Sequence, residues 1–257
     1  MVKSFEKAIA LFVRLVRNEQ GQDIDLLSGV LDTPPSTLYR HLNALVEAGL
    51  IVRRRRGEYL PHPMILGLLS AFDGRAILAD IARPEIEALS ARLNLTSHLG
   101  VLENEMVTYL VKVDAGASQV FTREMGQLEA YCSGIGKVLL GQLSGPELFA
   151  YLGAERLPAM TPATRTLPAD IAREIERTRA RGYGIDDGEV HENLFCLAMP
   201  VRGPFGTVLA AVSVSSPSRS ALTSDRARFL AALTQATDRI SAALGGAVPA
   251  RALQLHD

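Results

Sequence analysis

Hydrophobic residues recur at helical spacing along the N-terminal part of the chain. The apolar face of the first predicted helix runs from Phe5 to Val16, with Ser4 placed to cap it, and the helix is expected to end before Gly21. A shorter amphipathic helix is predicted directly after Asp23. The pattern therefore predicts two amphipathic helices before the chain turns.

A third helix is predicted after the turn at Pro34 and Pro35, because the first proline lacks a donor and the second suits the first position of a helix. This helix spans 36–48, and Gly49 stands just past its end. At about 100° per residue, Arg40 lies nearly opposite its apolar stripe. The stripe consists of Leu38, Leu42, Leu45 and Val46.

The polar face of the third helix carries side chains that suit nucleic acid. Arg pairs with guanine and Asn with adenine at base edges in the major groove, which fits Arg40 and Asn43. Ser36, Thr37 and Tyr39, near the start of the helix, suit phosphate oxygens. The sequence therefore predicts a recognition helix.

A β-hairpin is predicted after the third helix, with strands over 50–52 and 58–60 and a basic turn over 53–57. The turn contains four consecutive arginines, Arg53, Arg54, Arg55 and Arg56. Three helices followed by a hairpin match a winged helix-turn-helix, whose third helix lies in the major groove of DNA. The alternative is a small helical protein-interaction module with a solvated hairpin.

The rest of the chain mixes strand and helix patterns, which predicts an α/β (α+β) domain with a mainly antiparallel sheet flanked by helices. The domains are expected at 1–61 for the winged helix-turn-helix, 62–74 for a linker helix and 75–257 for the second domain. Strands are predicted over 97–102, 107–113, 120–124, 128–131, 183–187, 194–201 and 207–215. Helices are predicted over 64–69, 77–93, 134–143, 146–152, 169–181 and, capped by Thr223, to about residue 244.

The overall composition is that of an ordinary globular protein. The 257 residues are 47% hydrophobic and 21% charged, with a mean hydropathy of +0.13. No apolar run reaches the roughly 18 residues of a membrane span, and Lys3 and Glu6 stand where a signal peptide is apolar, so a cytoplasmic location is expected. Cys132 and Cys196 lie far apart, outside disulfide or zinc spacings. No metal and no cofactor is expected.

The charge is distributed unevenly along the chain. The formal net charge is −1, yet residues 35–60 hold five arginines against Glu47 and Glu58. Such a local basic patch suits phosphate groups, although a solvated arginine run in a loop is the alternative explanation of the run alone.

A nucleotide phosphate loop is excluded at Gly136-Lys137. The required earlier glycine would fall at Tyr131, and Val138 stands where Ser or Thr is needed. Gly134 and Gly136 instead predict a close backbone approach and free N–H groups at the start of a helix, where a carboxylate ligand would fit.

Potential ligands and catalytic groups are densest near residue 190. The pattern leaves open a metal site, a Cys196 nucleophile with His191 as base and Asp186 as orienting group, and a polar loop beside a packed cysteine. The group comprises Asp186, Asp187, Glu189, His191, Glu192 and Cys196. The remaining histidines are assigned as structural or surface residues, namely His41, His62, His98 and His256.

Four segments of the sequence resemble IclR-family transcriptional regulators, in matching order along nearly the whole chain. The segments are 36–50, 131–140 (YCSGIGKVLL), 181–201 and 206–217 (GTVLAAVSVSSP). The resemblance implies a winged helix-turn-helix joined by a linker helix to a GAF/PAS-like effector domain. It also implies assembly as homodimers or homotetramers on double-stranded operator DNA.

In this family, small molecules that are often organic acids bind a pocket in the second domain. Carried over by position, the pocket falls on Leu128, Gly134, Ile135, Asp186, Leu194, Cys196, Ser213 and Ser215. Ser213 and Ser215 stand two apart on a predicted strand, so their side chains should face the same side. Tyr131-Cys132 replace the His or Thr followed by Ala that often precedes the Ser-Gly turn, which predicts a different pocket shape.

The sequence thus predicts a ligand-responsive transcriptional regulator, acting as repressor or activator, with operator DNA and a small carboxylate effector as partners and no membrane. Two alternatives remain open. One is a thiol-dependent hydrolase that uses Cys196. The other is a ligand-sensing interaction protein that does not bind DNA.

Overall fold

A computed structural model describes residues 2–17, 24–55, 57–69, 73–115 and 120–246. The chain folds as two units, Met1–Asp73 and Gly74–Asp257. The predicted helix end near Gly21, the wing residue Arg56 and the terminal His256 lie outside the described residues. None of the helices in the described ranges combines the length and the apolar composition that crossing a bilayer requires.

The first unit is a winged helix-turn-helix built around a leucine core. Its elements are α1 (Val2–Arg17), α2 (Ile24–Val30), α3 (Pro35–Glu47), β1 (Ile51–Arg55), β2 (Glu58–Pro61) and α4 (Met64–Leu69). The two strands pair antiparallel as the wing. The buried core residues are Leu11, Leu15, Leu27, Leu38, Leu42, Leu45, Ile51 and Tyr59.

The apolar positions of α1 form two stripes, and only one of them is buried. Leu11 and Leu15 lie in the core, whereas Phe5 is 70% and Val16 is 44% exposed. At 100° per residue, the two exposed residues lie on one side of the helix, roughly 120–140° from Leu11. The prediction of a single buried face was therefore wrong, and Ser4 lies inside α1 because the helix begins two residues earlier.

The turn into α3 follows the prediction, whereas the wing departs from it. Pro35 is the first residue of α3, and Gly49 past its end has φ +71. Val46, which was placed in the buried stripe, is exposed. Arg53–Arg55 belong to β1 and not to the turn, because the chain reverses around Gly57, which has φ +79.

The second unit is a six-stranded antiparallel sheet with helices on both faces. The strands are β3 (Thr96–Glu103), β4 (Met106–Val113), β5 (Gln127–Glu129), β6 (Gly184–Asp187), β7 (Phe195–Arg202) and β8 (Val208–Ser216), in the order β5-β4-β3-β8-β7-β6. The helices are α5 (Gly74–Leu93), α6 (Gly134–Leu140), α7 (Gly145–Leu152), α8 (Pro168–Arg181), α9 (Arg219–Ser224) and α10 (Arg226–Ala243).

The alternation of residues along each strand sends them to two different cores. On β8, Val212 and Val214 belong to the core shared with α5 and α10. Ala211 faces the opposite side and packs with Ile135 of α6 in a second core that includes α7 and α8. Ser213 and Ser215 alternate with the two valines, so both project toward α6. The sheet flanked by helices confirms the predicted fold class.

Three predictions about this unit were wrong in detail. Residues 120–124 form no strand, because the Glu124 carboxylate accepts the backbone N–H of Lys112 that a neighbouring strand would need. The C-terminal helix is split at Asp225 into α9 and α10, and Ser218 caps α9, with Thr223 inside it. α5 begins at Gly74, three residues before its predicted start.

Candidate functional site

A row of polar side chains crosses neighbouring strands on the face of the sheet that looks toward α6. Asp186 on β6 stands opposite Cys196 on β7, which stands opposite Ser215 on β8. His98 on β3 stands opposite Ser213 on β8. Directly opposed residues point to the same face of a sheet. The strand register therefore brings these five side chains together.

These side chains line a small cavity between the sheet and the start of α6. The volume open to the centre of a water molecule is ≈ 10 Å³, about the room that one water needs. Its walls include most of the residues that the resemblance indicates, namely Gly134, Ile135, Asp186, Leu194, Cys196, Ser213 and Ser215. Leu128 is not among them, because it pairs with Val107 at the sheet edge and packs in the core beside α6.

The cavity also has walls that sequence reasoning missed. They are His98, Tyr109, Val120, Thr122, Ser133 and Val190. His98, assigned above as structural or surface, is one of them. The signal that could have found it is its register opposite Ser213, which depends on a pairing between strands distant in sequence.

The start of α6 forms one wall of the cavity. Ser133 caps the helix, and its Oγ accepts the backbone N–H of Gly136 at 3.0 Å. A Cβ on Gly136 would lie 2.1 Å from the carbonyl oxygen of Ala130. The predicted close backbone approach is therefore confirmed, whereas the prediction of a free N–H at Gly136 was wrong because Ser133 takes it.

Asp186 is the carboxyl group of the cavity, and it is 1% exposed. Its Oδ1 accepts the backbone N–H groups of Glu189 at 2.8 Å and Val190 at 3.4 Å. Burial raises the pKa of Asp186 to about 7, against the lowering effects of the Lys137 charge and of these backbone bonds. Near neutral pH, the carboxyl group therefore carries a proton in much of the population.

His98 lies fully buried at the other side of the row. Its Nε2 and the Oγ1 of Thr122 are 2.7 Å apart, and its ring packs against Tyr109 with centroids 4.8 Å apart. Its Nδ1 is buried without a hydrogen-bond partner within the described part of the chain. Burial, with a smaller effect of the Lys112 charge, lowers the pKa of His98 to about 3, so the ring is neutral.

Cys196 is packed in the row and is not activated. Its Sγ lies 3.2 Å from the Oγ of Ser215, and burial raises the pKa of the thiol far above its usual value. The thiolate, which is the nucleophile, is disfavoured there. His191 is exposed on the loop between β6 and β7, where its Nδ1 accepts the N–H of Asn193. The geometry does not assemble a cysteine–histidine nucleophile.

The acidic and basic groups near residue 190 spread into separate contacts. Glu189 and Lys137 form a buried ion pair, and the Lys137 Nζ also donates to the carbonyl of Ile185 at 2.7 Å. Asp187 pairs with Arg219 on the surface. Among the residues that the structure describes, no three His, Cys, Asp or Glu side chains are placed to hold a metal ion.

The irregular segment 120–124 covers the cavity from the side. Val120 and Thr122 face the cavity, whereas Phe121 between them is 57% exposed. The Lys112 Nζ donates to the carbonyl of Val120 at 2.8 Å. Glu124 accepts Nη1 of Arg83 on α5 at 3.0 Å. This segment is therefore held at both ends by side chains from other elements.

The polar surface of the first unit presents the predicted DNA-contacting side chains to solvent. On α3, the residues Ser36, Tyr39, Arg40 and Asn43 are exposed and Thr37 is half-buried, while Leu38 and Leu42 are fully buried. On β1, the side chains of Arg53–Arg55 are exposed. Arg54 and Arg55 lie 3.5 and 3.8 Å from Glu58 in solvent-exposed pairs, which contribute little and leave both arginines accessible.

The second unit matches a known protein family. The family model for the C-terminal domain of the bacterial transcriptional regulator IclR matches residues 73–242, more than half of the chain. The chain belongs to the IclR family. One relative is the HTH-type transcriptional regulator XynR of Escherichia coli strain K12, which is 28% identical to this chain. The match covers 95% of this chain and 98% of XynR.

Solved structures extend the similarity to the fold of the whole chain. The IclR protein of Thermotoga maritima matches with a TM-score of 0.62 and 25% identity, over 95% of this chain and 100% of that chain. An IclR homologue from Microbacterium hydrocarbonoxydans, solved in complex with 4-hydroxybenzoate, shares the fold with a TM-score of 0.62 and 22% identity, over 93% of this chain and 98% of that chain.

Membership of the IclR family decides between the functions that the sequence left open. The family consists of transcriptional regulators and not of enzymes. This IclR-family chain is therefore a ligand-responsive, DNA-binding transcriptional regulator. A hydrolase that uses Cys196 and a sensor without DNA binding are not favoured.

Proposed function

We propose that this regulator reads operator DNA with α3 and the wing, and that a small organic acid in the cavity controls its binding. The observation that carries the proposal is the polar cavity, which lies in the part of the chain that the family model matches. Residues 1–61 would act as the DNA-binding domain, 62–74 as the linker and 75–257 as the effector domain. The protein would then regulate transcription in the cytoplasm and would catalyse no reaction.

The exposed face of α3 supports a division of labour on DNA. Arg40 and Asn43 would read base edges in the major groove. Ser36, Thr37 and Tyr39 would set the helix on the phosphates, as would the wing arginines Arg53, Arg54, Arg55 and Arg56. The burial of Leu38 and Leu42 on the opposite side of α3 supports this orientation.

The chemistry of the cavity supports a carboxylate effector. The hydroxyl groups of Ser213 and Ser215 and the Asp186 carboxyl group offer polar partners, while Ile135 and Leu194 offer apolar walls. The homologue bound to 4-hydroxybenzoate shows that a protein of this fold takes an aromatic hydroxy acid. Such an effector changes DNA binding only if it binds one arrangement of the protein better than another.

The second stripe of α1 supports a homo-oligomer. Phe5 and Val16 are exposed on it, and Ile9 and Phe12 between them are half-buried. A twofold dimer places two recognition helices on two half-sites, so that a palindromic operator mirrors the symmetry of the protein.

The experiment that tests the proposal is selection of genomic DNA fragments by the purified protein at two salt concentrations. We expect a recurrent palindromic site, and one member of a carboxylate panel should change the affinity of the protein for it. Binding without any preferred sequence would contradict base reading by α3. A preferred site whose affinity no carboxylate changes would contradict the assignment of the effector class.

A further inference from the structure

The cavity lacks a positive charge with which to receive an anion. None of its described walls is Lys or Arg, and His98, the remaining basic side chain, is neutral. The buried Lys137 lies nearby, but its Nζ is used by Glu189 and the carbonyl of Ile185. A carboxylate that enters the cavity therefore meets the carboxyl group of Asp186 without a cation between them.

Two like charges in a buried site cannot both remain ionised, because one carboxyl group keeps a proton. The surroundings of Asp186 favour the protonated carboxyl group. Both of its backbone hydrogen bonds end on Oδ1, so Oδ2 is the oxygen that neither amide reaches. The burial that raises the pKa of Asp186 already favours its protonated form in the empty protein.

The other groups around Asp186 do not supply the missing charge. The titratable side chains that interact with it are Lys137, Glu189, Cys132, Cys196 and Tyr109. Lys137 and Arg165 both pair with Glu189, and neither cation lines the cavity. Burial raises the pKa values of Cys132, Cys196 and Tyr109, which keeps all three neutral.

We propose that the effector's carboxylate binds together with one proton, which is shared between a ligand oxygen and Oδ2 of Asp186, and that the effector also supplies the missing hydrogen-bond partner of His98 Nδ1. The inference rests on the proposed function and deepens it. The ligand class is a carboxylic acid with a second polar group, such as a hydroxy acid or a keto acid. The unpaired Nδ1 is the independent observation that points to a ligand.

The proton balance of this binding mode is simple. Below about pH 7, Asp186 already carries the proton, and the ligand enters as its anion. Above that pH, Asp186 is ionised in the empty protein, so one proton is taken up from solvent for each ligand bound. The affinity should then fall about tenfold for each pH unit.

The test uses the full chain with 4-hydroxybenzoate and a series of short hydroxy and keto acids, each beside its primary amide. Dissociation constants are measured by calorimetry between about pH 6 and about pH 8.5, in two buffers of different ionisation enthalpy. For the wild-type protein, we expect acids to bind progressively more weakly above about pH 7, with uptake approaching one proton per ligand. The amides, which carry no charge, should keep their affinity across this range.

Two variants test whether Asp186 is the group that shares the proton with the ligand. Asp186→Asn keeps an acceptor for the backbone amides and offers a permanent donor, so its affinity for acids should no longer fall with pH. Asp187→Asn is the matched control, because that side chain pairs with Arg219 on the surface, and it should retain the wild-type dependence.

The possible outcomes separate the inference from the proposed function. Acids that bind with equal affinity and no proton uptake across the range would overturn proton sharing and leave the effector assignment intact. The same conclusion follows if Asp186→Asn keeps the wild-type pH dependence. If no acid in the series binds at any pH, the carboxylate assignment itself fails, and the inference fails with it.

Discussion

Gly136 occupies a position where the backbone of α6 passes against the carbonyl of Ala130. We expect Gly136→Ala to cost about 1–3 kcal/mol or more, because its Cβ would lie 2.1 Å from that oxygen and the backbone would have to shift. Urea unfolding measures the change. Gly145→Ala is the matched control, since no atom lies within 4 Å of its added Cβ. Equal destabilisation by both substitutions would contradict the close-approach explanation.

His98 links the cavity to the acid stability of the protein. The unfolded chain protonates this ring below about pH 6.5, whereas the folded protein keeps it neutral down to about pH 3. The unfolded state then binds more protons in this window. The contribution of His98 is therefore complete above pH 6.5 and is lost as the pH falls, by up to about 1.4 kcal/mol per pH unit.

We expect His98→Gln to flatten the decline of stability below about pH 6.5, because the variant has no group there that titrates. The measurement is the free energy of unfolding in urea at several pH values. His191→Gln serves as control, since that ring is exposed, and it should keep the wild-type slope. An unchanged slope in the His98 variant would contradict the neutral buried ring.

At the scale of elements, α3 and the wing have different roles on DNA. Arg40→Ala should weaken the preferred operator by about 1–3 kcal/mol and relax its base preference, because the side chain that reaches a base edge is removed. Replacing Arg53, Arg54 and Arg55 by Gln should instead weaken all DNA similarly and reduce the salt slope by about 0.9 for each phosphate that an arginine no longer neutralises.

Titration of operator and scrambled DNA over a range of salt concentrations measures both effects. Arg177→Gln is the control, because that side chain is exposed on α8 in the other unit, and it should change neither quantity. If the α3 and wing variants lost the same affinity with unchanged sequence preference, the division of roles between the two elements would be wrong.

The elements that were predicted correctly are those whose structure follows from the hydrophobic and polar pattern of neighbouring residues in the sequence. The alternation along β8 indicated that Ser213 and Ser215 share a face, and the structure confirms it. The missed features depend on partners far away in the chain. His98 lines the cavity because β3 pairs with β8, which lies far away in the sequence. No strand forms at 120–124 because the Glu124 carboxylate accepts hydrogen bonds from the backbone of β4 and from Arg83 of α5.

At the scale of the whole molecule, the exposed stripe of α1 predicts how two copies share one operator. Phe5→Ser with Val16→Ser should weaken binding to a complete palindrome while leaving binding to one half-site unchanged, because each protomer keeps its own recognition helix. Titration of the two DNA lengths tests this. Phe149→Ser on α7 removes a comparably exposed aromatic and should change neither affinity. Equal loss on both lengths would contradict a dimer contact on α1.

The small volume of the cavity also bears on the speed of the response. A space of ≈ 10 Å³ cannot admit an organic acid while its walls are closed. The observed association rate should therefore level off at high effector concentration, at the rate with which the empty protein opens. The apparent affinity is reduced by the fraction of molecules that are open at any moment. Substitutions at Phe121 or Glu124, which lie in the covering segment but do not line the cavity, would then set the concentration at which a gene responds without changing which molecule is recognised.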